Sequence, residues 1–313
     1  MSKENCIIYG GGGFIGSHLA EELLERGYNV TIFDKIKFSK ENIEAFISKI
    51  KIIEGDFNNE YDLLSSLDKI DYVFHLVSST LPASSNDNPV YDVESNLIST
   101  LKLLQDMVQR KTKKIVFLSS GGTVYGVPEE IPVNENHFRK PLCSYGIIKK
   151  TIEDYLFLFN YLYGLNYNVF RLSNPYGERQ NPMYAQGVIP VFLKKIILDE
   201  EIAIWGDGSV TRDYIYIKDA VKPLAESLKY SGSHKIFNLA SGTGLSLKEL
   251  LEIIQSVTGK KFKIKYLPGR NFDVPVNVLD VNLVKREFGF ESSVDIADGI
   301  GKTYEYLQKY IRR

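Results

Sequence analysis

The chain has 313 residues, 44% of them hydrophobic, which is enough for a large core and exceeds the ~250 to 300 residues at which single cores usually split. Its 38 Lys and Arg residues are scattered and balanced by 39 Asp and Glu residues, so we expect no nucleic-acid partner. Two cysteines are too few for a disulfide framework, and the four dispersed histidines indicate no metal site. The sequence shows no apolar signal segment and no membrane-spanning stretch, so we expect a cytoplasmic protein without a membrane partner.

The first element in the chain is a glycine-rich turn between a strand and a helix. Residues 6–9 form a short apolar run, and apolar residues recur at helical spacing after Gly16. Glycines permit a tight turn and let a pyrophosphate approach the backbone at the helix N-terminus. The pattern therefore predicts a dinucleotide-binding turn that includes Gly10, Gly13, Phe14, Ile15 and Gly16.

A second apolar strand, residues 30–33, ends at an acidic residue. Asp34 lies roughly 20 residues after the glycines, where a carboxylate can bind a ribose. Because a carboxylate repels a 2′-phosphate, NAD is favoured over NADP. Lys35 could accommodate that phosphate, so NADP stays an alternative.

Strand-like and helix-like segments alternate through the first half of the chain. Apolar runs near 50–53, 72–77, 115–119 and 169–172 are separated by helical patterns near 60–68, 90–110 and 145–163. This alternation predicts an α/β fold with a doubly wound parallel (Rossmann) sheet. Ligands of such sheets bind at the carboxyl ends of the strands, where polar residues such as Asp56, Ser78, Ser119 and Asn174 occur.

The composition changes after about residue 181, where prolines and glycine-rich turns become frequent and helical segments are shorter. We expect a dinucleotide-binding domain over 1–180, to which 212–243 returns through strands near 214–217 and 237–239. Residues 181–211 and 244–313 would form a smaller α+β domain that binds the substrate. The two domains are therefore expected to be interleaved in sequence.

Tyr145 and Lys149 lie four residues apart at the start of a predicted helix, so both side chains emerge on one face. A nearby ammonium can lower the pKa of a tyrosine from its usual value near 10, which would let Tyr145 exchange a proton with a sugar carbinol during hydride transfer. Lys149 could also donate to the nicotinamide ribose. Packing alone would explain this common spacing, but a preceding strand that ends in hydroxyls favours the catalytic interpretation.

The ordered motifs together resemble the extended short-chain dehydrogenase/reductases, in the nucleotide-sugar branch that contains UDP-galactose 4-epimerase and related epimerases, dehydratases and reductases. The similarity runs the whole length of the chain. The matching segments are 10–16, Asp34, 55–57, 75–76, Asn96, 119–126, Tyr145 with Lys149, and 171–177.

The resemblance implies roles for further cofactor-binding residues. Asp56 and Phe57 would border the adenine, although core packing also explains Phe57 and Leu76. The other implied cofactor contacts are Leu76, Val77, Ser78, Asn96, Ser119 and Pro175, beside the catalytic Tyr145 and Lys149.

The resemblance also implies a nucleotide-sugar site. Asn174 would meet the phosphates, Arg212 and Arg270 would clamp the diphosphate, and Asp273 would accept from the nucleotide ribose; surface salt bridging is the alternative for each arginine. Trp205 would offer an aromatic wall for uracil or thymine, with a core role as the alternative. The implied set is completed by Gly187, Val188, Ala203 and Tyr214.

One position departs from the family pattern, because Gly121 stands where matched members carry a catalytic Ser or Thr. Ser120, Thr123 or water would replace that hydroxyl. The loop also lacks the Thr-Asp-Glu sequence of the family's dehydratases, which disfavours dehydration.

The leading hypothesis is a UDP-hexose or UDP-N-acetylhexosamine 4-epimerase that retains NAD and oxidises carbon 4 transiently; a dTDP-sugar is the alternative substrate class. Asn277 resembles a gatekeeping position that decides whether N-acetylated sugars enter. The rival hypotheses are an NAD(P)H-dependent 4-keto-6-deoxy sugar-nucleotide reductase and a non-catalytic dinucleotide sensor. The resemblance also implies a homodimer. The apolar residues of the helices at 90–110 and 145–163 would partly pack on the sheet and could extend into a four-helix dimer seam; they are Leu97, Leu101, Leu104, Ile148, Ile152 and Leu156.

Overall fold

The computed structural model of the protein describes residues 3–183, 187–269 and 274–311. Its centre is a sheet of seven parallel strands. These strands are β1 (Asn5–Tyr9), β2 (Asn29–Asp34), β3 (Lys51–Glu54), β4 (Tyr72–His75), β5 (Lys114–Ser120), β6 (Asn166–Leu172) and β10 (Ile236–Leu239).

The strands lie in the spatial order β10-β6-β5-β4-β1-β2-β3. The chain order therefore reverses between β1 and β4, and a crevice opens there at the carboxyl ends of the strands, where doubly wound sheets bind dinucleotides. The inner strands are apolar on both faces, and residues 6–9 of β1 are completely buried. The predicted Rossmann sheet is confirmed.

Helices cover both faces of the sheet and bury two separate apolar layers. On one face lie α1 (Phe14–Glu25), the 3-10 segments Glu41–Lys49 and Ser227–Lys229, α7 (Ile217–Glu226) and α9 (Asn282–Phe288). On the other lie α2 (Glu60–Ser66), α3 (Pro89–Asp92), the π-helical segment Val93–Ile98, α4 (Ser99–Gln109) and α5 (Ser144–Tyr163).

A smaller unit with its own apolar core follows in the second half of the chain. It contains three helices, α6 (Val188–Ile197), α8 (Leu247–Thr258) and α10 (Ile296–Ile311). Its strands are β7 (Asn174–Tyr176), β8 (Ile202–Trp205), β9 (Thr211–Tyr216), β11 (Gly244–Ser246), β12 (Ile264–Leu267) and β13 (Val276–Asn277). β9 pairs with β7, β11 and β13, and β8 pairs with β12.

The segment 212–243 is divided between the two units. β10 joins the main sheet beside β6, and α7 packs against α1. The expectation that the strand near 214–217 also returns to the main sheet was wrong, because β9 pairs with β7, β11 and β13 instead. Both segments are apolar, and apolar patterning does not tell which sheet a strand joins.

No helix within the described ranges is long and apolar enough to cross a membrane. The same ranges contain no group of three or more His, Cys, Asp or Glu side chains that could hold a metal ion. Cys6 and Cys143 are both free thiols.

Candidate active site

The glycine turn joins β1 to α1 and has a shape that side chains would block. Gly10 has φ +83°, a backbone conformation that side chains disfavour. A Cβ at Gly16 would collide with the carbonyl oxygen of Gly10. Gly13 caps α1, and Phe14 is its first helical residue, so backbone N–H groups of the first turn face the crevice side of the sheet. This cradle fits the pyrophosphate of a dinucleotide.

Asp34 ends β2 beside the glycine turn. Its Oδ2 accepts a hydrogen bond from the N–H of Gly12 over 2.9 Å, and its Oδ1 accepts from the N–H of Lys35 over 2.9 Å. Burial raises the pKa of Asp34, while these two N–H groups oppose that effect. The carboxylate is therefore fixed against the turn, in a place that suits a ribose, whereas the Lys35 side chain is exposed.

Two of the other predicted cofactor contacts lie beside this turn, and two belong to the loop that follows them. The backbone of Leu76 and Val77 lies against Gly10, about 3.5 Å from where a Cβ would stand. Asn96 holds the following loop, because its Oδ1 accepts from the N–H of Ser79 over 2.8 Å. Ser78 is in that loop and donates to the carbonyl oxygen of Thr80.

Three predicted cofactor contacts have different surroundings. Asp56 is exposed beyond the end of β3. Phe57 is buried in the core, with its ring 5.5 Å from that of Tyr9, so the packing interpretation fits it. The hydroxyl of Ser119 donates to the buried carboxylate of Glu153 over 2.5 Å, and it is therefore directed into the protein.

Tyr145 and Lys149 project from the first turns of α5. The ammonium of Lys149 lies 5.5 Å from the centre of the Tyr145 ring and donates to the carbonyl oxygen of Leu118 over 3.0 Å. Burial lowers the pKa of Lys149 to about 8. Burial also raises the pKa of Tyr145, and Cys143 and Asp92 act in the same direction, so the lowered phenol pKa expected from the sequence is not met.

The loop after β5 explains the missing hydroxyl at Gly121. A Cβ there would collide with the side chain of Leu279 and lie 3.0 Å from the carbonyl oxygen of Arg171, so neighbouring residues occupy the space that a serine would need. Thr123 packs against Gly146, the residue that follows Tyr145. Its buried Oγ1 has no hydrogen-bond partner within the described residues. This arrangement favours Thr123 over Ser120, which ends β5, as the replacement hydroxyl.

A cavity of about 300 Å³ lies in the smaller unit, next to the carboxyl end of β6. All the predicted substrate-binding residues up to position 214 line it. They are Asn174, Gly187, Val188, Ala203, Trp205, Arg212 and Tyr214, together with the predicted cofactor contact Pro175. A volume of this size is at the small end of the range for ligand sites, roughly 300 to 1,000 Å³.

Two polar side chains of the cavity are held by hydrogen bonds to the backbone. The side-chain amide of Asn174 donates to the carbonyl oxygen of Asp213 over 2.8 Å, and Nη1 of Arg212 donates to the carbonyl oxygen of Val274 over 2.7 Å. The buried hydroxyl of Tyr214 has no hydrogen-bond partner among the described residues. Trp205 is 43% exposed at the cavity wall, so the core alternative does not fit it.

Asn277 connects this cavity to the catalytic loop. It is paired with Arg212 in the small sheet, and its Nδ2 donates to the carbonyl oxygen of Gly121 over 3.2 Å. Its buried Oδ1 has no partner within the ranges that the structure describes. The other two predicted substrate contacts, Arg270 and Asp273, lie outside the described residues.

The structure adds two buried carboxyl groups that the sequence analysis missed. Glu153 accepts hydrogen bonds from Ser119 and from Arg171, the latter over 2.7 Å. Glu153 lies four residues after Lys149, as Lys149 lies four residues after Tyr145. The three side chains therefore share one face of the helix, and this spacing could have identified Glu153 from the sequence. Asp92 lies four residues before Asn96 and lines a small cavity with the catalytic pair.

Residues 6–240 match the model of the NAD dependent epimerase/dehydratase family. The chain belongs to this family. It is therefore an NAD-dependent enzyme, and its glycine turn and Asp34 are suited to hold that cofactor.

The family relatives resemble the chain over nearly its whole length. It is 36% identical over 312 residues to the dTDP-4-dehydro-6-deoxyglucose reductase of Escherichia coli, with 98% of each chain covered. It is 31% identical over 310 residues to the UDP-glucose 4-epimerase of Mycolicibacterium smegmatis, covering 96% of this chain and 98% of the relative. A solved UDP-glucose 4-epimerase from Thermotoga maritima, with UDP-glucose, superposes with a TM-score of 0.92 at 33% identity and covers 98% of this chain and 99% of that one.

Proposed function

We propose that this family member is a UDP-hexose 4-epimerase that also accepts UDP-N-acetylhexosamines. The observation that carries the proposal is the connection between the cavity and the catalytic loop. Arg212 in the cavity wall pairs with Asn277, which binds Gly121, and the same loop contacts the helix of Tyr145 through Thr123. A nucleotide bound in the cavity would therefore place its sugar beside Tyr145. The similarity to UDP-glucose 4-epimerases supports this choice.

In the proposed reaction the glycine turn and Asp34 would hold NAD, which when bound would supply the acceptor and then the donor of the hydride at sugar carbon 4. Tyr145 takes the proton of the 4-hydroxyl and later gives it back. Lys149 orients the nicotinamide ribose and adds positive charge, while Thr123 can hydrogen-bond the reacting oxygen. Between the two half-reactions the 4-keto sugar rotates to present its other face, while Arg212 and Asn174 keep the diphosphate bound.

A 4-keto sugar-nucleotide reductase is the second candidate. The similarity to the E. coli dTDP-4-dehydro-6-deoxyglucose reductase favours it, and the same Tyr145 would then donate a proton to a carbonyl. The two reactions differ in their need for reductant, because an epimerase ends each turnover with the cofactor in its starting state.

The two candidates can be separated with purified protein and three substrates, UDP-glucose, UDP-GlcNAc and a UDP-4-keto-6-deoxy sugar, each with and without added NADH. We expect galacto epimers from the first two substrates without NADH. NADH oxidation that depends on the keto sugar, with no epimer formed from the other two, would select the reductase. No turnover of any substrate would contradict both candidates.

We expect Asn277 to limit the size of the sugar substituent that the site can accept. Its buried side chain is smaller than an aromatic ring and lies against the Gly121 loop. Asn277→Tyr should reduce kcat/KM for UDP-GlcNAc at least tenfold more than for UDP-glucose, because a ring would fill the space of the N-acetyl group, and pocket misfits of this kind are worth about 1–3 kcal/mol. Steady-state kinetics with both substrates measures the ratio. Asn277→Ser is the control, and an unchanged ratio in a folded Asn277→Tyr enzyme would contradict this role.

We also propose that the enzyme forms a homodimer through α5 and the helices beside it. Ile98, Phe157, Tyr161 and Leu162 are 42–78% exposed on this side, which is a large apolar surface for one chain. The six residues that were expected to pack partly on the sheet and to extend into a seam lie mostly inside the chain. Leu104, Ile148, Ile152 and Leu156 are buried in the chain's own core, and Leu97 and Leu101 are partly buried against it.

The double variant Phe157→Glu with Tyr161→Glu should be monomeric, because four carboxylates would be buried in a symmetric interface at a high desolvation cost. Light scattering after gel filtration should give twice the mass of one chain for the wild type and the mass of one chain for the variant. Tyr61→Glu, at a 78% exposed site on α2, is the matched control and should stay dimeric. A monomeric wild type would contradict the proposal.

A further inference from the structure

Asp92 is a carboxyl group buried beside the catalytic pair. It is the last residue of α3, and its side chain is completely buried. Together with Tyr145 and Lys149 it lines a cavity of about 10 Å³. Burying a carboxyl group is costly unless polar partners compensate for the lost water, so the partners of Asp92 indicate its role.

Three side chains from different elements donate hydrogen bonds to Asp92. Thr80, in the loop after β4, donates to Oδ1 over 2.6 Å. Asn96, in the π-helical segment, donates to the same oxygen over 2.8 Å, and Ser144, the first residue of α5, donates to Oδ2 over 2.6 Å. Both oxygens accept, which suits an ionised carboxylate, and the two short hydroxyl contacts have the length of charge-assisted hydrogen bonds.

These hydrogen bonds connect the start of the catalytic helix to the cofactor-binding side of the crevice. Ser144 directly precedes Tyr145 in α5. Asn96 holds the loop after β4 through the N–H of Ser79. A displacement of ~1 Å of a reacting group can cost on the order of 100-fold in rate, so a fixed link between these elements matters for hydride and proton transfer.

The charge of Asp92 acts on Lys149. Burial lowers the pKa of Lys149 to about 8, and the carboxylates of Asp92 and Glu153 oppose that effect. His75 lines the same small cavity, and burial, with a contribution from Lys149, lowers its pKa to about 3, so it is neutral near pH 7. Above pH 8 Lys149 loses its proton, and a reaction that needs the ammonium slows.

The charge of Asp92 also acts on Tyr145. Burial raises the pKa of Tyr145, and Cys143 and Asp92 act in the same direction. Removing the anion would therefore favour proton loss from the phenol and from the ammonium alike. Both limbs of a pH–rate profile would move to lower pH.

We infer that Asp92 is a positioning residue of the epimerase, which locks the N-terminus of α5 to the cofactor-binding loop and supplies the counter-charge of Lys149. The inference rests on the function proposed above. Its two parts make separate predictions, because a neutral substitution at Asp92 removes the charge, whereas a substitution at Ser144 removes one hydrogen bond and leaves the charge in place.

Asp92→Asn keeps the size of the side chain and should lower kcat by about 10- to 100-fold, with the pH profile of kcat shifted toward acid by about one pH unit. Ser144→Ala should lower kcat without moving the profile. Asp87→Asn is the matched control, since it removes the same charge from an exposed position in the preceding loop, and it should behave as wild type. Circular dichroism checks that each variant is folded.

An Asp92→Asn enzyme with the wild-type kcat and pH profile would overturn the inference while the proposed function stands. If that variant does not fold, an unchanged kcat in Ser144→Ala overturns the positioning part. Calorimetric NAD binding does not depend on turnover, and weaker binding to Asp92→Asn than to Asp87→Asn is expected. Equal NAD binding by these two variants contradicts the link to the cofactor loop, whereas an inactive wild type contradicts the proposed function instead.

Discussion

Tyr145→Phe is expected to lower kcat by roughly 10²- to 10⁴-fold, the range that general acid–base catalysis contributes. Phenylalanine keeps the ring that lies 5.5 Å from the ammonium of Lys149 and removes only the atom that carries the proton. The residues proposed to bind the nucleotide line the separate cavity, so KM for the sugar nucleotide should change little. Steady-state kinetics with a coupled assay for the epimer measures both parameters.

Tyr155→Phe is the matched control for this substitution. Tyr155 lies on the same helix, partly buried against the core, and the structure places it away from the small cavity that Tyr145 lines. Its variant should retain wild-type kcat. If Tyr145→Phe turned over as fast as the Tyr155→Phe enzyme, Tyr145 would not be the proton carrier, and the proposed chemistry would be wrong.

Gly16→Ala should weaken NAD binding by roughly 5- to 150-fold, because overpacking strain costs about 1–3 kcal/mol. The added Cβ would collide with the carbonyl oxygen of Gly10 and push apart the turn that we expect to cradle the pyrophosphate. Isothermal calorimetry with NAD measures the dissociation constant directly. NAD should also raise the melting temperature of the variant less than that of the wild type, since stabilisation follows the fraction bound.

Gly301→Ala supplies the control for an added methyl group. Gly301 lies in α10, where the nearest atom to a new Cβ is 3.7 Å away, an ordinary contact. That variant should bind NAD as the wild type does and be slightly more stable, because alanine favours helix by up to about 1 kcal/mol. Equal NAD affinity in the two variants would show that the turn does not form the pyrophosphate site.

The local parts of the fold and site could be predicted from the sequence. The glycine turn and Asp34 follow from spacing within about 25 residues, and the structure places them together at the sheet crevice. The resemblance to a known branch named seven residues that line one cavity, although they come from distant segments of the chain. Spacing was sufficient for features whose residues are close in sequence, and the family resemblance supplied those from distant segments.

The parts that depend on neighbours from distant segments could not be predicted. The pairing of β9 is one example, since apolar patterning predicts a strand but not the sheet that the strand joins. The pKa of Tyr145 is another, because surrounding elements bury the phenol and thereby raise its pKa. Asp92 is a third, since its three donors come from separate segments and no local pattern marks them.

Transfer of label at carbon 4 is the sharpest test of whether hydride leaves and returns within one turnover. UDP-[4-²H]glucose would be incubated with the enzyme in ordinary water and without added reductant, and the product examined by NMR and mass spectrometry. We expect UDP-galactose that keeps its deuterium at carbon 4, because the same hydride leaves and returns while Tyr145 transfers only the hydroxyl proton. Loss of the deuterium to solvent, or product formed only when NADH is supplied, would contradict this expectation.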